Sequence, residues 1–258
     1  LWSVVSGPAG SSFSAANSPT SSINNLSPGT YILKWTVQND ANACAAVSDT
    51  MKLEVFAAPI SGTLTSSISQ VCDSGNSGTI TLSGHVGTIK QWEYKEAGGA
   101  WTILANTSTT QSFINLLKTT YYRALVVSNG PSTVCPSSKY TDSIKIQVDP
   151  ASVGGTTAGA DTVCQGSNTG TISLSGQVGT VVEWQYSTNN GTSWTAIANT
   201  TATLTYTNLT TPANTITQYQ YRARVKSGVC SEQFSSITTI TVNPGTPTAN
   251  AGPDQKLC

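Results

Sequence analysis

Six cysteines are the side chains of this 258-residue sequence whose spacing implies bond-forming chemistry. Cys72, Cys164 and Cys258 lie 92 and 94 residues apart, and Cys44, Cys135 and Cys230 lie 91 and 95 apart. Two interleaved series with one period point to a disulfide framework copied in tandem, in an oxidising, extracellular setting. Other chemistry is poorly supplied. His85 is the single histidine, and its counterpart one period on, in an equivalent Gly-x-Val-Gly turn, is Gln177. A catalytic base does not recur as an amide, and one imidazole cannot complete a Ser–His–Asp triad or a histidine metal site. The 12 acidic residues are dispersed singly, with only Asp149 and Asp254 placed at seams where a calcium ion would be useful. No catalytic residue, metal or cofactor is expected, so the chain is read as a non-enzyme.

The period belongs to the whole sequence and not to the cysteines alone. Cys72-Asp73-Ser74-Gly75-Asn76 and Gly78-Thr79-Ile80-Thr81-Leu82-Ser83-Gly84 return as Cys164-Gln165-Gly166-Ser167-Asn168 and Gly170-Thr171-Ile172-Ser173-Leu174-Ser175-Gly176. Trp92, Trp101, Asn106 and Tyr122-Arg123-Ala124 return as Trp184, Trp194, Asn199 and Tyr221-Arg222-Ala223. A repeat of this length is one small domain copied in tandem. Prolines at 59, 150 and 244 mark the seams. The divisions expected are 1–58, a partial sandwich without its opening strands; 59–149 and 150–243, two full repeats; and 244–258, the opening of another. The sequence is thus read as an excerpt. Only 9% of residues are charged and the net charge is zero, which leaves no electrostatic footprint for nucleic acid. No apolar run approaches the roughly 20 residues that span a bilayer, so no membrane insertion is expected in this segment.

Alternation at period two dominates. Tyr219, Tyr221, Ala223 and Val225 share one face of a strand, and Gln218, Gln220, Arg222, Arg224 and Lys226 share the other. Slipping that strand by one residue would put arginines in the core, so burial sets its register. Trp92 and Trp184 alternate with outward charges and are expected in the core. Trp101 and Trp194 follow turns; core packing is the favoured assignment for them, with stacking on sugar rings as the other. Seven or so short strands per repeat, with a Trp on the third, predict an all-β chain of tandem immunoglobulin-like β-sandwiches in an extended array.

The stretches VCDSGNSGTITLSGHVGTIKQWEY and VCQGSNTGTISLSGQVGTVVEWQYSTNNGTSWTAIANT resemble the immunoglobulin-like repeats of giant secreted proteins of Bacteroidota. WSVVSGPAG, LSPGTYILKWTVQN and SDTMKLEV resemble a PKD-like sandwich, and ANAGPDQKLC resembles the start of another. Proteins of that kind include gliding-motility adhesins and other substrates of the type IX secretion system. The resemblance implies a non-catalytic stalk or adhesin segment at the cell surface. Its partners would be neighbouring repeats, surface polysaccharide or other cell-surface proteins. The alternatives are a carbohydrate-binding accessory region of a secreted polysaccharide hydrolase and a subunit of an extracellular filament or sheath. Asp-Ser/Thr-apolar triplets at Thr50, Ser143 and Thr162 match the O-glycosylation sequence of such proteins.

Two further expectations concern contacts. Pairing within each repeat, Cys72 with Cys135 and Cys164 with Cys230, respects the period and is favoured; Cys44 and Cys258 then find partners outside the sequence. Sandwich topology opposes it, because the turn after the opening strand and the loop between the last two strands lie at opposite ends. The rival joins neighbours: Cys44 with Cys72, Cys135 with Cys164 and Cys230 with Cys258. Separately, the outward positions Tyr121, Leu125 and Val127 are apolar where the next repeat has Gln220, Arg224 and Lys226. They form a candidate contact surface for a partner, a neighbouring chain or a folded-over loop.

Overall fold

The computed structural model describes residues 1–38, 45–131, 133–134, 137–245 and 252. Every regular element among them is a β-strand. Residues 1–58 supply β1 (Trp2–Ser6), β2 (Ser12–Phe13), β3 (Ile23–Asn24), β4 (Gly29–Val37) and β5 (Val47–Val55). The first full repeat supplies β6 (Thr63–Ser66), β7 (Gln70–Cys72), β8 (Ser77–Ser83), β9 (Thr88–Glu96), β10 (Thr102–Leu104), β11 (Thr110–Ile114), β12 (Thr120–Val127), β13 (Ser138–Tyr140) and β14 (Ile144–Asp149). The second supplies β15 (Thr156–Ala158), β16 (Asp161–Cys164), β17 (Thr169–Ser175), β18 (Thr180–Ser187), β19 (Thr195–Ile197), β20 (Thr203–Thr207), β21 (Thr217–Lys226), β22 (Gln233–Phe234) and β23 (Thr238–Asn243).

The chain divides into two compact units. One holds Leu1–Ser69, Ser77–Phe113 and Thr120–Ile146; the other holds Gln70–Asn76, Ile114–Thr119 and Gln147–Cys258. In the first, β1-β4-β5 form an antiparallel sheet beside the β2-β3 hairpin, and the repeat follows as two layers, β11-β8-β6 and β10-β9-β12-β14. Ile80, Leu82 and Phe113 from one layer and Ile89, Trp92, Tyr122, Ala124, Val126 and Ile146 from the other are among its buried apolar residues. In the second unit, β15-β17-β20 packs against β16-β23-β21-β18-β19 around Ile172, Trp184, Leu204, Tyr206, Tyr221, Val225 and Ile240. These are immunoglobulin-like β-sandwiches: two layers per repeat, antiparallel except where the opening segment joins the last strand, packed face to face.

The repeated residues explain how one sequence pattern rebuilds one fold. Trp92 and Trp184 are fully buried, and each indole N–H finds a carbonyl, Ser108 at 2.9 Å and Thr201 at 3.0 Å. A buried indole left without such a partner would be costly. Asn106 and Asn199 shape the loops that offer those carbonyls: each side-chain amide donates to a residue four positions on (Thr110, Thr203), and each side-chain oxygen accepts from the backbone two positions on (Ser108, Thr201). Gly78 and Gly170 sit under the aromatic rings of Phe113 and Tyr206, where an added Cβ would come within 2.4 and 2.3 Å of ring atoms. The last strand of each sandwich is interrupted by a hydroxyl residue. Thr141 and Ser235 accept from the backbone N–H of Ala124 and Ala223 respectively, and return a backbone N–H to the same residue.

The opening strand of each repeat changes layers. β6 pairs antiparallel with β8, whereas β7 runs parallel to the end of β14, with Cys72 opposite Asp149. Likewise β15 pairs with β17, and β16 runs parallel to β23, with Cys164 opposite Asn243. Both cysteines therefore sit at the end of their repeat's last strand. The loop joining the two preceding antiparallel strands lies at the start of that last strand, so each cysteine is a strand length away from its own repeat's loop.

Candidate functional site

The most elaborate cluster of this protein is built where Asp149 ends β14. Its Oδ2 accepts from the Gln70 side-chain amide at 2.7 Å and from the Val229 backbone N–H at 3.0 Å, and its Oδ1 accepts from the Gln147 side chain at 3.0 Å. The residue is buried. Gln147, then the Val229 N–H, then Gln70 hold the carboxyl below the usual carboxylate range against the opposing effect of burial. Its carbonyl accepts from Asp73 at 2.8 Å. Three residues on, Ser152 Oγ accepts from the Ser227 N–H at 2.9 Å. Gly228 lies between these contacts at φ +47°, and a Cβ there would come within 1.9 Å of Asp149 Oδ2. No side chain other than hydrogen fits. Asp149 thus joins the opening strand of one repeat to the loop between β21 and β22 of the next.

A disulfide joins the same two segments: Cys72 bonds to Cys230, with 4.9 Å between their Cα atoms and 158 residues between them in sequence. This overturns both favoured pairs, Cys72 with Cys135 and Cys164 with Cys230, and the Cys44–Cys72 and Cys230–Cys258 pairs of the rival scheme. The reason is the strand length that separates each opening-strand cysteine from the loop of its own sandwich, since a bridge tolerates only roughly 7 Å between Cα atoms. Cys164 is a free, exposed thiol. Cys44, Cys135, Asp254 and Cys258 lie outside the described residues. Asp149 spends its carboxylate on the hydrogen bonds above, and among the described residues no group of three or more metal-ligating side chains occurs.

The outward faces carry a second recurring arrangement. Arg123 is sandwiched between the rings of Trp101 and Tyr140, 4.0 and 3.9 Å from their centroids. Arg222 repeats it between Trp194 and Phe234, at 3.9 and 3.8 Å. Trp101 and Trp194 are therefore not core residues. They are half-buried on the outer surface, each with one face on a guanidinium. Beneath Arg123, the buried Glu93 accepts from Arg123 Nε at 2.8 Å, from Tyr140 at 2.9 Å and from Gln91 at 2.6 Å. Burial pushes its pKa up, but hydrogen bonds from Arg123, Tyr140 and Gln91 outweigh it, so the net shift is down. The next repeat swaps the pair to Glu183 and Gln185: Arg222 donates to Gln185 at 2.9 Å, and Arg224 takes Glu183 at 3.4 Å and Glu232 at 3.0 Å.

The apolar stripe is met in part by the chain itself. Leu125 is buried within the chain, opposite Gln91 on one side and Tyr140 on the other, because β13 returns alongside β12; Tyr121 and Val127 are half-buried. Thr50, Ser143 and Thr162 are all exposed, and Asp49 and Asp161 each accept from the backbone of the hydroxyl residue that follows them. His85 sits half-exposed in its turn. In the second repeat, Tyr186, Tyr206, Tyr219 and Tyr221 line a cavity of about 280 Å³ together with Leu204 and Leu209.

Layers, register and recurring clusters define a tandem array of immunoglobulin-like sandwiches, with linkage between repeats as its most developed feature. The chain belongs to the family described as Domain of unknown function (DUF8696), whose model matches residues 60–150 and 153–244. Among curated proteins none matches it. Solved structures similar to it include a marsupial T cell receptor (16% identity, 74% of this chain and 76% of that one, TM-score 0.48). Another is the fibronectin(III)-like modules of Clostridium thermocellum CbhA (9%, 70% and 93%, 0.28). A third is a Ca2+-stabilized adhesin with which an Antarctic bacterium binds ice (12%, 84% and 58%, 0.34). Among the described residues no helix is long and apolar enough to cross a membrane.

Proposed function

We propose that this chain is a non-catalytic stalk segment of a secreted or cell-surface protein, holding a distal binding region away from its anchor. The observation that carries the reading is the Cys72–Cys230 bond, which fastens one repeat to the next instead of bracing a single sandwich. Disulfides persist in oxidising compartments, which supports an extracellular setting. The hydrogen bonds around Asp149 tie the same two segments together. On this reading the motif resemblance supports a Bacteroidota parent exported by type IX secretion, of the gliding-adhesin kind, whose partners engage its distal part.

The tyrosine-lined cavity of the second repeat favours one other reading, a carbohydrate-binding accessory region, since sugar rings stack on aromatic faces. Co-sedimentation with insoluble cellulose, xylan and chitin, together with a glycan array, separates the two. A stalk leaves the chain in the supernatant and the array blank. Saturable retention that Tyr219→Ala abolishes would replace the stalk reading with the carbohydrate one.

A further inference from the structure

We infer that Cys164 is half of a second inter-repeat disulfide, and that its partner is the loop cysteine, the counterpart of Cys230, of a further copy of this domain following residue 243. Cys164 is presented in the frame that presents Cys72. Each ends the parallel opening strand of its repeat, opposite the final residue of the last strand, Asn243 in one case and Asp149 in the other. The residue after each cysteine donates its backbone N–H to that final residue's carbonyl, Gln165 at 2.9 Å and Asp73 at 2.8 Å.

An asparagine four residues on then clamps the turn in the same way in both repeats. Asn76 donates to the carbonyls of Cys72 and Leu116 and accepts from the Leu116 N–H. Asn168 does the same with Cys164 and Leu209. In the first repeat this frame is covalently filled; in the second its thiol is exposed and free. The frame is shared and one occupant is known, so the occupant of the other follows from the repeat.

The loop half of the joint also recurs. Ser227 begins the loop that carries Cys230, and it is tied to Ser152 in the linker ahead of its repeat. Its counterpart Ser128 donates to the Ala57 carbonyl, again in the linker ahead of its own repeat, at 3.1 Å. Each loop reaches back to the seam preceding it, so a copy following Pro244 would bring its loop cysteine to Cys164. Asn243 in place of Asp149 retains a side-chain oxygen able to accept the loop N–H.

The bond forms by exchange with a small disulfide such as oxidised glutathione. Cys164 thiolate attacks it, giving a mixed disulfide and releasing one glutathione. The incoming cysteine thiolate then displaces the second glutathione. Two electrons pass from the two cysteines to oxidised glutathione, and their two protons end on the released thiols.

The test lengthens the chain by repeating residues 150–243 once after Asn243. The added copy carries Cys164→Ser, so its loop cysteine is its only one, and Ser231→Thr as a mass tag. After oxidation in a glutathione buffer, free thiols are alkylated and the chain is digested for mass spectrometry. The expected result is the Cys164 peptide joined to the tagged loop peptide, with alkylation of Cys164 at least tenfold lower than in the unlengthened chain. Recovery of Cys72–Cys230 in the same digest shows that the template seam has formed. If that bond is present while the tagged cysteine is alkylated or joined elsewhere, or if Cys164 is joined to Cys164 of a second chain, the inference is overturned. Absence of both bonds overturns it too, because the template itself would then be missing.

Discussion

Tension applied to the two ends of this chain reaches Cys72, crosses the sulfur bridge and leaves from Cys230, so residues 73–229 carry none of it. β1 to β7 ahead of the bond, and β22 and β23 behind it, remain in line with the load. Reducing the bond puts the bypassed residues back in series. A separation of 158 residues, at about 3.5 Å per extended residue, is worth roughly 550 Å of contour length, against 4.9 Å across the bridged Cα atoms. Optical tweezers with handles at residues 1 and 258 measure this directly. Serine at positions 44, 135, 164 and 258 prevents any other bond from forming. The oxidised chain should stretch to a limit about 550 Å short of the reduced one, and the rupture steps that release residues 73–229 should appear only with reductant or in Cys230→Ser. Equal contour lengths in the two states would mean that load passes around the bridge, and the shunt would be refuted.

Two further outcomes follow from the buried carboxylates. Asp149 has its folded pKa below its unfolded value of about 3.9, so its contribution is present above that value and is lost as pH falls through the folded pKa. Thermal melts between pH 6 and pH 2 should show a decline at the acid end that Asp149→Asn flattens, and Asp149→Ala should cost about 1–3 kcal/mol by stranding the Val229 N–H and two amides. Arg123→Ala strands the buried charge of Glu93, whereas Arg222→Ala strands only the neutral Gln185. Urea titrations should therefore show the first variant losing more, on the order of 2–3 kcal/mol against about 1 kcal/mol, and equal losses would contradict the assignment of charge.

Alternation made most of the fold legible. It assigned Trp92, Trp184, Tyr221, Ala223 and Val225 to the core and Arg222 to the surface, because burial of one face fixes the register of a pleated strand. For Trp101, expected in the core, alternation was not followed far enough: the residue extends the β10 register of Thr102 opposite Tyr94 and so stands beside the outward Lys95. The signal was the recurrence of an arginine at the same outward position in both repeats. Leu125 was placed on the correct face, but pleat parity says nothing about which strands flank it, and β13 sets Tyr140 directly beside it. The disulfide was hidden for a different reason. Periodicity shows which cysteines are equivalent, yet it cannot say which copy supplies a partner. Strand polarity carried that information, through the opposite ends of the sandwich, and it points from the opening strand of one repeat to the loop of the next.

The connectivity also bears on how such a chain is made. As it emerges N-terminus first, Cys72 meets Cys44 and Cys135 well before Cys230 has been synthesised, and the native bond skips both Cys135 and Cys164. An oxidase that coupled cysteines in order of appearance would produce the wrong pairs. The first full repeat must therefore reach its fold with Cys72 still unpaired, on Trp92, Ile80 and their neighbours alone. The bond is a late fastening applied to finished parts. Growth of the array would proceed by ratchet, each completed sandwich waiting for its successor to lock it, with a disulfide isomerase needed wherever oxidation outruns synthesis.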